Sequence, residues 1–139
     1  MQATTRTISY ATTTIWTGRV SSALAVLFLV FDGVIKVMVL PPVVDSFAQL
    51  GYSTELAVGI GVLELLCIAV YVLPRTSVLG AVLLTGYLGG AIASHVRADS
   101  ELFSLGFPII IGALLWGGLY LRDARVRAIT RSYSVAHNC

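Results

Sequence analysis

The stretch VSSALAVLFLVFDGVIKVMVLPP, residues 20 to 42, contains an apolar run long enough to cross a bilayer. A transmembrane helix needs about 20 predominantly apolar residues, and the two prolines that close this stretch stop a helix. Asp32 and Lys36 interrupt the run with opposite charges. The stretch therefore predicts a first membrane span that carries a charge pair.

The rest of the chain has the same apolar character. Of its 139 residues 57% are hydrophobic and 12% are charged, whereas soluble domains are about half apolar and a quarter charged. Three further apolar runs occupy residues 56–73, 77–95 and 102–121. The sequence therefore predicts an all-α protein, a transmembrane four-helix bundle that forms one membrane domain over residues 16–122.

The polar ends of the chain indicate how the bundle is oriented. Residues 1–15 are rich in threonine and are predicted to form a flexible tail, and residues 123–139 form a basic C-terminal tail. Arginines concentrate at these ends and in the turn after the second span, against Arg97 on the other side, and positive residues stay cytoplasmic. We therefore expect a multi-pass protein of a bacterial-type inner membrane with both termini in the cytoplasm. No basic stripe with interleaved aromatics suggests a nucleic-acid partner.

The connector between the first two spans, PPVVDSFAQLGYS, has a helical pattern of its own. Val43, Val44, Phe47 and Leu50 recur at helical spacing, and Gly51 is a suitable C-terminal stop. This pattern predicts a short amphipathic helix on the outer surface. Such a helix either covers a site beneath it or is a connector that lies in the membrane interface.

The charged residues of the spans all fall in the outer half of the membrane, and Glu64 is nearly level with Asp32. At about 1.5 Å per residue, Asp32 lies about 18 Å and Lys36 about 24 Å from the cytoplasmic end of the first span. Glu64 lies about 12 Å below the outer boundary of a core about 30 Å thick, and His95 and Arg97 lie at the outer end of the third span. Because buried charges face partners or water-filled cavities, we expect these groups to surround an outward-opening polar cavity.

This expectation defines the candidate site residues. The predicted catalytic residues are Asp32, Glu64 and His95, and the predicted ligand-binding residues are Lys36, Cys67, Tyr87, Ser94 and Arg97. Lys36, His95 or Arg97 can supply the cation that Glu64 needs. No metal site is predicted, because one histidine in the spans does not supply a ligand set. The structural alternative is that a lysine snorkels, a histidine caps its helix and an ion pair fixes helix register.

Residues 16 to 122 resemble the DoxX-like family of small membrane proteins. The resemblance is carried by Gly33 and Lys36 late in the first span, the FAQLGYS connector, Glu64 within GVLELL, and the small-residue third span that ends at His95. It implies a four-helix membrane bundle and a link to redox physiology. Some relatives are described as a subunit of a thiosulfate:quinone oxidoreductase, and others as membrane partners of soluble antioxidant or sulfur-handling enzymes.

Three functions remain open at this point. In the first, the protein is an accessory subunit that binds a lipophilic, quinone-like molecule, with Lys36 and His95 donating to its oxygens and a soluble partner carrying the redox centre. In the second, it is an enzyme in which Asp32, Glu64 and His95 perform acid–base chemistry such as isomerisation, ring opening or hydration. In the third, it is a structural or assembly protein, monomeric or homo-oligomeric, whose charges specify packing. No cofactor other than a bound quinone is expected.

Overall fold

The computed structural model describes the backbone of residues 2–129 and the side chains of residues 12–129. Its principal helices are α1 (Gln2–Val37), α2 (Pro41–Leu50), α3 (Glu55–Val72), α4 (Ser77–Arg97) and α5 (Leu102–Arg122). All of these except α2 contain a segment long and apolar enough to cross a membrane. The predicted all-α architecture of four spans and a short additional helix is confirmed.

The four long helices form a ring in which each contacts two others. Helix α1 packs against α3 and α5, and α4 packs against the same two helices, so that α1 and α4 are diagonal. The centre of the ring is filled by buried apolar side chains, among them Leu29, Leu84, Leu115 and Leu119. Large apolar residues also cover the outside of the bundle, as expected of helices that contact lipid.

Helix α2 lies at one end of the bundle, called the α2 end below. Two prolines occupy its first turn, where no intrahelical donor is needed, and Gly51 ends it in the left-handed conformation with φ 72°. Val43 and Phe47 are buried and pack with Ala57 of α3, whereas Val44 is 38% exposed. The connector thus forms the predicted amphipathic helix. Its buried face is narrower than the sequence pattern suggested, because Val44 is not buried.

The threonine-rich N-terminal segment is helical in its backbone. Helix α1 begins at Gln2, and among the residues with described side chains its candidate span is Thr12–Val37. No proline or glycine precedes Gly18, and the Thr17 hydroxyl donates to the Thr13 carbonyl within the helix. Threonine costs helix stability without stopping the helix. The flexibility of residues 1–15 stays a prediction.

The predicted basic C-terminal tail is described only in its first part. The backbone is helical again over residues 124–129. Residues 130–139 lie outside the described residues. The cytoplasmic position of both termini stays a prediction.

A glycine pair allows α1 and α3 to approach each other closely. A Cβ atom on Gly61 would lie 2.8 Å from the Gly33 carbonyl oxygen and 2.9 Å from the Lys36 Cβ. Small residues at a helix crossing permit such contact between backbones. The crossing holds the stem of Lys36 against α3, one turn before Glu64.

We expect Gly61→Ala to destabilise the bundle by about 1–3 kcal/mol, because the added methyl group overlaps rigid backbone of α1. The matched control is Gly59→Ala on the same helix, where no atom lies within 4 Å. Alanine is the better helix former, so the control is neutral or stabilises by up to about 1 kcal/mol. Unfolding free energies in detergent micelles measure both effects, and equal stability of the two variants contradicts a tight crossing.

Candidate functional site

The ammonium group of Lys36 joins three of the four spans. Its Nζ donates to Oδ2 of Asp32, one turn earlier on α1. It lies 3.0 Å from Oε2 of Glu64 on α3 and 2.8 Å from the hydroxyl of Tyr87 on α4. An ammonium group has three N–H donors, and each has an acceptor here. Asp32, Lys36, Glu64 and Tyr87 are called the Lys36 cluster below.

Glu64 is the most deeply buried member of the Lys36 cluster, with an exposed fraction of 0%. Its Oε2 accepts hydrogen bonds from Lys36 and, at 2.7 Å, from the Tyr87 hydroxyl. Within the described part of the chain its Oε1 has no partner. Because Tyr87 accepts from Lys36 and donates to Glu64, its hydroxyl bridges the two charged groups. This arrangement anchors Glu64 rather than presenting it to a ligand.

The other two predicted cations lie away from Glu64, at the α2 end of α4. Nδ1 of His95 is 3.2 Å from the Ser100 hydroxyl. Arg97 donates from Nη2 to the Leu50 carbonyl at 2.9 Å. Of the three cations proposed for Glu64, the structure therefore brings Lys36 into contact.

A cavity of about 1080 Å³ lies between the helices at the α2 end. Seven of the eight predicted site residues line this cavity, namely Asp32, Lys36, Cys67, Tyr87, Ser94, His95 and Arg97. The eighth, Glu64, is not part of the lining and lies behind Lys36 and Tyr87. Most of the remaining lining is apolar and comes from all five helices, including Leu29, Phe47, Ile60, Leu88 and Ile111.

Helix α2 covers this cavity, and α2 and the loop after it are hydrogen-bonded to α4. The residues of α2 that line the cavity are Pro42, Val43, Ser46, Phe47 and Leu50. The hydrogen bonds are the one from Arg97 to the Leu50 carbonyl and a 3.0 Å bond between the hydroxyls of Tyr52 and Ser94. The guanidinium of Arg97 also lies 5.0 Å from the centre of the Tyr52 ring. Of the two alternatives for the amphipathic helix, the geometry favours a cover over a simple connector.

Sequence reasoning missed Tyr52 as a member of the site. Its partner Ser94 is 42 residues away, and no periodic pattern relates a loop residue to the face of a distant helix. The adjacent Gly51, which ends α2 and turns the chain towards α3, was the available signal.

The opposite end of the bundle has a second polar contact that joins helices. The Tyr71 hydroxyl is 2.9 Å from the Ser22 hydroxyl of α1 and donates to the Leu115 carbonyl of α5 at 2.8 Å. Tyr71 has an exposed fraction of 0%. Its spacing of seven residues from Glu64 places both on one face of α3, which is the sequence signal for this contact.

Residues 20–118 match the DoxX-like family, and this range contains the Lys36 cluster and most of all four spans. The chain belongs to the DoxX-like family. The resemblance given by the sequence is thereby confirmed. Searches of curated proteins and of solved structures give no significant match.

For this DoxX-like protein we expect Lys36→Met to destabilise the fold by about 3–5 kcal/mol, because it leaves the buried carboxyl group of Glu64 and the partly exposed one of Asp32 without their cation. In a Glu64→Gln background the loss is smaller by about 1–3 kcal/mol, because one of the two carboxylates is already removed. Unfolding free energies of the parent, both single variants and the double variant measure the coupling. Strict additivity contradicts the ion pair.

The bridging hydroxyl of Tyr87 is tested separately. Tyr87→Phe removes the acceptor of one Lys36 donor and a donor to Glu64, so we expect destabilisation by about 1–3 kcal/mol. Tyr120→Phe is the control, because Tyr120 is 41% exposed on the outside of α5. The same unfolding measurement applies, and a neutral Tyr87→Phe shows that the bridge adds nothing to stability.

Proposed function

We propose that this DoxX-like protein binds a lipophilic small molecule of the quinone class in the cavity beneath α2, as an accessory subunit of a redox system. The observation that supports the proposal is the cavity itself, about 1080 Å³ in volume and mainly apolar, with a few polar side chains. Small-molecule sites in proteins combine these features at this scale. The redox partner, inner-membrane location and cytoplasmic termini rest on the family and on the arginine distribution.

The hydrogen bonds already formed in the cavity wall determine whether a ligand there must donate or accept hydrogen bonds. All three donors of Lys36 are engaged within the Lys36 cluster, so Lys36 offers no free N–H to a ligand oxygen. Asp32 receives the Lys36 hydrogen bond on Oδ2, and its side chain is 30% exposed. In this proposal the polar wall of the cavity at Asp32 therefore acts as a hydrogen-bond acceptor, in place of the donation from Lys36 that the sequence suggested.

An acceptor in the cavity wall favours a ligand that donates hydrogen bonds. The hydroxyl group of a quinol donates to Asp32, whereas the carbonyl oxygen of a quinone faces another acceptor there and gains no hydrogen bond. The reduced form is thus the preferred ligand. His95 lines the same cavity and provides a ring nitrogen for the other polar group of the ligand.

An intramembrane acid–base enzyme is the second candidate. Asp32 and His95 line one cavity, which supports general acid–base chemistry on a bound lipophile. Glu64 does not line that cavity, so in this candidate it positions Lys36 and Tyr87. Conversion of the ligand by purified protein without a partner, followed by mass spectrometry, distinguishes an enzyme from an accessory subunit.

The test compares decylubiquinol with decylubiquinone under anaerobic conditions, using the melting temperature and the dissociation constant of the purified protein. We expect the quinol to bind about tenfold more tightly, as one hydrogen bond to a charged group allows. Asp32→Asn removes this preference, because the amide also donates. Asp45→Asn, an exposed residue of α2 outside the cavity lining, is the control and retains it.

The outcomes separate the two parts of the proposal. Equal binding of both redox forms contradicts the assignment of Asp32 as the acceptor and leaves the cavity as a quinone-class site. Binding of neither form contradicts the proposed function as a whole.

A further inference from the structure

A second, smaller cavity of about 220 Å³ lies at the end of the bundle opposite α2. Residues of α1, α3 and the end of α5 line it: Arg19, Ser22, Ala23, Val26, Tyr71, Val72 and Arg122. Two arginines thus share one small space with apolar side chains. This combination is unlike the cavity beneath α2, where the ammonium of Lys36 is surrounded by carboxylates.

The packing of the bundle holds Arg122 in place. Its guanidinium carbon lies 4.9 Å from the centre of the Tyr71 ring, and Nη2 lies 3.5 Å from the Tyr71 carbonyl oxygen. Tyr71 is itself held by Ser22 and by the Leu115 carbonyl. A guanidinium stacked on a buried aromatic ring is pre-organised, so it loses little further freedom when it binds an anion.

Neither arginine has a carboxylate partner among residues 12–129. The two ion pairs in which both partners are described residues are made by Lys36. Arg19 is exposed on the outside of α1, and its guanidinium lies 6.0 Å from the centre of the Trp16 ring. Two cations without anionic partners at one cavity repel each other. An anion bound between them attracts both and offsets that repulsion.

The surroundings of the cavity suit a lipid. Trp16 is 60% exposed and Val72 is 52% exposed, so an aromatic ring and apolar surface adjoin the arginines on the outside of the spans. Tryptophan is enriched at the level of lipid headgroups. Guanidinium groups bind phosphate in bidentate fashion, and basic pockets between transmembrane helices bind the headgroups of anionic lipids.

We propose that the cavity between Arg19 and Arg122 binds the phosphate of an anionic phospholipid, with an acyl chain lying along the apolar surface formed by Val26 and Val72. This lipid site is independent of the ligand proposed beneath α2. It stabilises the end of the bundle where α1, α3 and α5 meet.

The test measures the melting temperature and lipid affinity of the purified full-length chain in detergent. Phosphatidylglycerol is compared with phosphatidylcholine of the same acyl chains and with inorganic phosphate. We expect phosphatidylglycerol to stabilise the protein and the other two to have little effect. Arg19→Gln and Arg122→Gln each weaken phosphatidylglycerol binding about tenfold, the value of one charge-assisted hydrogen bond.

Arg75→Gln is the matched control, because Arg75 is exposed at the same end of the bundle and does not line the cavity. An equal loss of affinity in Arg75→Gln shows unspecific attraction to a charged surface and overturns the proposal. Equal stabilisation by phosphatidylcholine, or by inorganic phosphate alone, also overturns it. If Arg122→Gln does not fold, Arg19→Gln decides the question, since Arg19 is exposed and packs only at the surface.

Discussion

The stability of the bundle depends on how the ammonium group of Lys36 is satisfied inside the membrane. Transferring the charge of Lys36 out of water is costly, and a buried ion pair offsets that cost only where the remaining donors are also satisfied. Lys36 meets this condition because its three acceptors come from α1, α3 and α4. A contact that requires three helices at once fixes their register. It also explains why Lys36 reaches inward instead of snorkelling to the nearer surface.

Three members of the same cluster, Asp32, Lys36 and Tyr87, give one part of the cavity wall its polarity. Lys36 spans the diagonal of the helix ring to reach Tyr87. Helix α2 covers the cavity and is held through Arg97 and Tyr52. Glu64 does not line the cavity, so in the proposed site Asp32 is the carboxyl group that a ligand meets. The structural hypothesis and the ligand-binding hypothesis thus involve the same cluster.

The sequence was sufficient for the spans, for the short helix and for the depth at which the charges meet, because each follows from apolar run length and rise per residue. The sequence did not determine which cation pairs with Glu64. Depth alone left Lys36, His95 and Arg97 as candidates for Glu64, and the structure pairs Lys36 with it beside the crossing of Gly33 and Gly61. That crossing depends on rotation of one helix about its axis relative to another, which a single sequence does not determine. For the same reason the sequence did not predict the contact of Tyr52 with Ser94.

The two ends of the bundle differ in what surrounds their cavity-lining cations. At the α2 end, the ammonium of Lys36 is enclosed with two carboxyl groups that the chain itself supplies. At the other end, Arg19 and Arg122 share a cavity without a carboxylate among the described residues, and Tyr71 connects this end to the helix that carries Glu64. Internal neutralisation is required where a charge has no access to water or headgroups, and it is unnecessary where lipid phosphates lie within reach. In the proposed lipid site the bilayer supplies the anion for Arg19 and Arg122, whereas the chain itself supplies the carboxyl groups for Lys36.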